Sequence, residues 1–154
     1  MIKLLLVGKT TDKHLDALIG DYRQRLTHYL PFDIQVIPDL KQGKLSFEQQ
    51  KQLEGERILS AVTGNTRLVL LDERGKQFRS VDFAAHLQKQ LAATPNITFV
   101  IGGPYGFSQA VYDRADGMLS LSAMTFSHQM IRLLFIEQLY RAMTILRNEP
   151  YHHE

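Results

Sequence analysis

Two stretches of this 154-residue chain hold residues whose types and spacing could do chemistry. The first is Phe99-Val100-Ile101-Gly102-Gly103-Pro104-Tyr105-Gly106-Phe107-Ser108, an apolar run that ends in glycines. Glycines directly after a strand let backbone approach a ligand or another segment closely. A dinucleotide fingerprint needs G-x-G-x-x-G and a P-loop needs G-x-x-x-x-G-K-S/T, and this stretch is neither. Phosphate cradles also use successive backbone N–H donors, and Pro104 has none. Gly103 to Gly106 instead suits a β-turn with proline second and glycine fourth. Two readings remain: a turn with no ligand, or a backbone wall against a ligand other than a phosphate.

The second stretch is the end of the chain, Asn148-Glu149-Pro150-Tyr151-His152-His153-Glu154. Histidine titrates near neutrality and is the natural general base. His152 and His153 are therefore candidates for a base or for orienting a substrate ring, with His153 preferred. Tyr151 could stack on a nucleobase or hydrogen-bond its edge. The plain alternative is a frayed polar tail. A metal site on His152, His153 and Glu154 is not expected, because adjacent side chains on an extended tail point apart and no further ligand of proper spacing is visible. The chain has no cysteine, which excludes disulfides, thiolate metal sites and thiol catalysis and fits a reducing cytoplasm.

The elements that must position these groups follow from the pattern of apolar residues. Ile2 to Val7 reads as a strand closed by Gly8. Asp12 to Leu30 reads as a helix, with Leu15, Leu18, Ile19, Tyr22, Leu26, Tyr29 and Leu30 on one face. Phe32 to Ile37 is a second strand, stopped by Pro38. Ser46 and Gln49 have the capping-box spacing and open a helix to about Val62. Arg67 to Asp72 is a third strand, and Ser80 can cap a helix to about Ala92. Asn96 to Ile101, Ser108 to Ala115 and Gly117 to Leu121 read as strand, short helix and short strand. Ser127 to Leu146 is a long helix, apolar nearly all round, which predicts burial on most sides, either with a partner subunit over one face or simply as a central core helix.

Strands this apolar are buried on both faces of a mostly parallel sheet, so the expected fold is one α/β domain spanning residues 1–154. Such sheets bind ligands at the C-terminal ends of their strands. Three loops then matter: Glu73 to Phe78, Gly102 to Phe107 and Ser122 to Phe126. Arg132 and Arg141 sit on the apolar final helix. A buried arginine needs a partner, and a carboxylate across a dimer or an RNA phosphate could serve. Glu137–Arg141 is also an ordinary i,i+4 helix pair. His128 reads as a capping or packing residue, and His14, His28 and His86 as surface residues. The apolar run from Ile2 to Val7 is too short for a signal or membrane-spanning segment. A net charge of only +2 does not announce a nucleic-acid binder. Basic residues nevertheless cluster at Lys41 and Lys44, at Arg74, Lys76 and Arg79, and at Arg23 and Arg25, plausible phosphate contacts for a patch on RNA.

The order IGGPYG (101–106), short helix, LSLSAMTF (119–126), HQMIRLLFIEQLYRA (128–142) and PYHH (150–153) resembles the SPOUT class of methyltransferases. It is most similar to the small bacterial family within that class that methylates N3 of a pseudouridine in helix 69 of 23S ribosomal RNA, and the likeness covers the whole chain. The resemblance implies a C-terminal deep trefoil knot, S-adenosylmethionine bound bent within it, and a cytoplasmic homodimer with each site completed across the interface. It implies action on 23S rRNA within the assembled ribosome, with no membrane, DNA or metal involved. By resemblance, Leu71, Gly102 or Gly103, and Leu121, Ser122, Ala123, Met124, Thr125 and Phe126 line the cofactor site. In that setting the glycines admit the adenine ring close to the chain and Pro104 stiffens the wall. His153, His152, Tyr151 and Arg141 are the catalytic candidates, because pseudouridine N3 is a weakly acidic imide that must lose its proton to become nucleophilic. Competing expectations are a non-catalytic ribosome- or RNA-binding factor and a nucleotide- or flavin-binding domain.

Overall fold

The computed structural model describes residues 1–40 and 43–153; Lys41 of the first basic cluster and Glu154 of the tail lie outside them. The elements are β1 (Ile2–Val7), α1 (Lys13–Leu26), β2 (Phe32–Ile37), α2 (Phe47–Ala61), β3 (Arg67–Lys76), α3 (Ser80–Ala93), β4 (Ile97–Ile101), α4 (Gln109–Arg114), β5 (Gly117–Leu119) and α5 (Met130–Leu146). The strands form one five-stranded sheet in the order β2-β1-β4-β3-β5, and every pairing is parallel. Side chains alternate across a strand, so the two sheet faces receive different residues. Leu4, Leu6, Phe99 and Ile101 face α1, α3 and α5. Leu5, Val7, Leu68, Leu70 and Val100 face the opposite way, toward Ile58 of α2 and Val111 of α4. Both faces are therefore dry, as the unbroken apolar strands require.

Several elements differ from the sequence expectation for identifiable reasons. α1 ends at Leu26, and residues 27–29 form a turn before Pro31; the residue before a proline disfavours helical backbone. Leu18, expected on the packed face, is exposed. Ser80 does not cap α3. The N-cap is Arg79 without a side-chain bond, and the Ser80 hydroxyl donates to Gln138 Oε1 at 3.0 Å. β3 does not stop at Asp72 but runs on to Lys76, so Arg74 and Lys76 lie on a strand rather than a loop. Gly75 makes this possible: a Cβ there would lie 2.6 Å from the Leu119 backbone of β5. β5 is correspondingly short, ending at Leu119.

α5 begins at Met130, three residues later than expected. Phe135, Ile136 and Leu139 are wholly buried, each contributing about 1.5–3 kcal/mol of apolar burial. Leu133, Leu134 and Tyr140 on the same helix are only half-buried. Arg132 is also wholly buried, but its partners are neither a carboxylate nor a phosphate. Its guanidinium donates to the carbonyls of Val7 (2.8 Å), Gly8 (2.9 Å) and His128 (3.0 Å) and to Thr10 Oγ1 (3.0 Å). It thereby ties the start of α5 to the C-terminal end of β1.

Candidate functional site

A cavity of about 650 Å³ opens at the C-terminal ends of β3, β4 and β5. Ile101, Leu71 and Leu119 close its floor, and segments 102–107 and 120–128 form its walls. Every cofactor-site residue expected from the sequence lines it except Ala123. Of the expected loop 73–78, only Glu73 and Arg74 reach it, while Gly75 and Lys76 continue β3 beside β5.

The glycine segment forms the expected turn, with the Gly106 N–H donating to the Gly103 carbonyl at 3.4 Å. Gly106 has φ +81°, a left-handed conformation that favours glycine. Gly102 and Gly103 also have a reason within the protein itself. A Cβ on Gly102 would lie 2.9 Å from the Phe107 ring, and one on Gly103 would lie 2.9 Å from Glu54 Oε2. Both positions are constrained from the protein side. The Gly103 N–H is taken by Glu54 Oε1 at 3.1 Å. With the Gly103 and Gly106 amides engaged and Pro104 lacking one, the turn cannot form a nest of N–H donors for phosphate.

The opposite wall is a small-residue loop held by its own hydroxyls. Ser120 Oγ donates to the Ser122 carbonyl at 2.9 Å, and Ser122 Oγ accepts from the Met124 N–H at 3.0 Å. Met124 and Phe126 are left exposed at its tip. Asp72 and Tyr112 also line the cavity and were not among the expected site residues. Asp72 accepts hydrogen bonds from the Tyr112 hydroxyl and from the Arg74 backbone (2.9 Å), and the Arg74 guanidinium lies over the Tyr112 ring. Burial opposes ionisation of Asp72, but the bonds from Tyr112 and Arg74 outweigh it and hold its pKa below the ordinary value. Its place at the end of an apolar strand was the available signal. His128, expected to cap or pack, is instead exposed on the rim.

The catalytic candidates gather elsewhere, on α5 and α1. α5 ends in a Schellman motif. Asn148, at φ +54°, donates to the Ile145 carbonyl at 3.1 Å, and Glu149 to the Thr144 carbonyl at 2.9 Å. This turn folds the tail back along the helix. Tyr151 packs edge-on against Tyr140, its hydroxyl donates to Glu137 Oε1 at 2.8 Å, and it lies 3.3 Å from the Tyr22 hydroxyl. Burial, then the Tyr22 and Glu137 contacts, push its pKa upward, so it remains a protonated donor. Arg141 donates to the same Glu137 oxygen at 2.7 Å and reaches His152 Nδ1 at 3.1 Å. An arginine only donates, so Nδ1 accepts and a neutral His152 carries its proton on Nε2. His153 is exposed. None of these residues lines the 650 Å³ cavity of the same chain. A smaller cavity of about 260 Å³, bounded by Ser120, Leu121, Phe126 and Glu137, lies between the two clusters.

His14 and His28 are exposed, while His86 is half-buried against the Phe78 ring at 4.8 Å. Arg23 pairs with Asp33 at 3.0 Å, and Arg25 lies over the Tyr22 ring. Lys44 is exposed. Among the described residues there is no cluster of potential metal ligands, and no helix is long and apolar enough to cross a membrane.

The family described as "Predicted SPOUT methyltransferase" matches residues 1–152. The chain is 57% identical over 155 residues to the ribosomal RNA large subunit methyltransferase H of Flavobacterium johnsoniae, covering 99% of both chains. It is 58% identical over 154 residues to the protein of that name from Christiangramia forsetii, covering 99% of this chain and 98% of that one. Among solved structures, it superimposes on a probable methylase family protein from Haemophilus influenzae with a TM-score of 0.55 at 15% identity. That match covers 99% of this chain and 70% of the other, and at such identity it speaks for the fold alone.

Proposed function

The chain belongs to the SPOUT methyltransferase family, and from that premise we propose that it transfers a methyl group from S-adenosylmethionine to large-subunit ribosomal RNA, at N3 of a pseudouridine in helix 69 of assembled ribosomes. The observation that carries this reading is the cavity at the strand ends, whose walls are the glycine turn and the 120–128 loop. Its residues fit the cofactor. Leu71, Ile101, Phe107 and Leu121 offer apolar surface for a ring, while the turn presents no phosphate nest. The Asp72 and Glu73 carboxylates, against Arg74 and His128, leave a charge balance that tolerates a cation. S-adenosylmethionine, when bound, supplies a methyl group on a sulfonium sulfur, which a nucleophile can take without a metal.

The rest of the proposed chemistry belongs to the chain's own side chains. Tyr151 and Arg141, fixed on Glu137, orient the target base, Tyr151 by its ring face or edge. The imide proton leaves N3 for His153, whose ring is exposed, or for water if positioning alone suffices. His152 is less suited as the base, since its Nδ1 already accepts from Arg141. The tail and the cavity occupy separate places within one chain, which supports a homodimer in which one copy's tail serves the other copy's cavity. The half-buried apolar residues of α5 offer the interface. A C-terminal deep trefoil knot, a single domain and a cytoplasmic location belong to the same proposal.

The test is methyl transfer from radiolabelled S-adenosylmethionine to ribosomes lacking the modification, beside free large subunits and naked rRNA. Label confined to rRNA of assembled ribosomes, mapped to that pseudouridine N3, is the expected outcome. Cofactor binding without transfer to any RNA would overturn the substrate. Absence of both would favour a non-catalytic binding factor. Sedimentation showing a stable, active monomer at micromolar concentration would overturn the dimer.

A further inference from the structure

α2 contributes nothing to the cavity wall, yet it carries a buried carboxylate. Glu54 is 8% exposed and lies on the inward face of α2 with Gly55 and Ile58. Burying a carboxylate is costly unless its oxygens find donors. The Gly103 N–H donates to Glu54 Oε1 at 3.1 Å. Burial and the nearby Asp39 charge raise the Glu54 pKa, and the Gly103 bond opposes them. A carboxylate buried at such a cost calls for a role.

Three contacts run from α2 to the glycine segment, spaced along it. At the helix start, the Phe47 ring packs on Tyr105 with centroids 4.7 Å apart. At its middle, Glu54 holds Gly103. Next to it, Gly55 lets α2 close onto Ser108, where a Cβ would lie 2.2 Å from Oγ. Ser108 is the N-cap of α4, its Oγ accepting from the Val111 N–H. The segment is thus gripped at Gly103 and at Ser108, and the turn between them faces the cavity. Only the Glu54 contact fixes the direction of a backbone amide inside the turn.

We propose that Glu54 is a positioning residue for the cofactor: from behind the cavity, its carboxylate orients the Gly103 peptide and so sets the shape of the wall against which the cofactor lies. This rests on the reading that the cavity holds S-adenosylmethionine. Glu54 acts through Gly103 and touches no reacting atom. The bond also engages the Gly103 N–H from the protein side, so that amide is not offered to a ligand in the cavity.

Calorimetric titration of S-adenosylmethionine into wild-type protein, E54A, E54Q and E54D tests this, with KM and kcat for methyl transfer measured beside it. E54Q keeps an acceptor oxygen at the same reach and should bind within about threefold of wild type. E54A removes the acceptor, and E54D withdraws it by one methylene; each should weaken binding at least about tenfold. That loss should fall on KM for the cofactor, with kcat at saturation little changed. Should E54A fail to fold, the E54D and E54Q pair carries the same contrast. Wild-type affinity in folded E54A or E54D would overturn the proposal, as would E54Q binding as weakly as E54D. Wild-type protein that does not bind S-adenosylmethionine at all would overturn the cofactor reading and this inference with it, whatever Glu54 does.

Discussion

The cavity wall and the C-terminal cluster are built in opposite ways. The wall is backbone: a turn of glycines and proline, shaped by what packs behind it, with Phe107 under Gly102 and Glu54 under Gly103. The cluster is side chains: Arg141, Tyr151 and Tyr22 converge on or beside one carboxylate, Glu137, and are separated in sequence by up to 129 residues. A backbone wall is sensitive to added volume and to loss of its hidden supports. A side-chain cluster is sensitive to charge and to deletion of any member. Binding and turnover should therefore respond to different mutations.

The largest effect is expected where volume enters the wall. Gly103→Leu forces atoms into a position already 2.9 Å from Glu54 Oε2 at Cβ alone, so calorimetry should detect no cofactor binding while circular dichroism shows a folded protein. Normal affinity would erase the distinction between the two regions. Next is deletion of residues 151–154. Removing a general base and its orienting groups costs on the order of 10²–10⁴ in rate, so turnover should fall at least about a hundredfold with cofactor affinity within about twofold of wild type. A parallel loss of affinity would mean that the tail belongs to the wall after all.

Arg132 lies at the junction, since α5 begins beside the cavity and ends in the tail. Arg132→Met leaves the Val7 and Gly8 carbonyls buried without their donor, which should cost about 3 kcal/mol in urea unfolding and weaken both functions together. The smallest effect is expected at Asp72. Its folded pKa is depressed below 3.8, so its ionised form adds stability above that pH and the contribution is lost as pH falls through the folded value. D72N should flatten the acid limb of a stability profile below about pH 4, with little change at neutrality.

Local chemistry made much of the fold legible. β1 and β2 fall on their expected residues, and the Ser46–Gln49 capping box forms as its spacing predicts. The β-turn over 103–106 was readable because proline and glycine act on their own backbone. Ser80, by contrast, had the right residue type for a cap but found Gln138 instead. Glu54 reads as an ordinary polar position in a helix pattern, since no local rule marks a carboxylate that a distant amide will meet. Arg132 announced that it needed a partner, but its acceptors come from the end of β1, more than 120 residues away.

The sequence by itself determined which segments are strands and helices, that both sheet faces are covered, and that the loops after the strands would meet at one end of the sheet, where the cavity lies. Those properties depend on periodicity and on residues acting within one turn of themselves. Tertiary structure alone decided that β3 runs on past Asp72, that α2 supports the glycine turn from behind, and that the tail docks on α5 apart from the cavity of its own chain. Each of these depends on which surfaces meet after the chain crosses the sheet. That meeting is settled by packing and by the pairing of buried polar groups over long separations, and no local pattern encodes it.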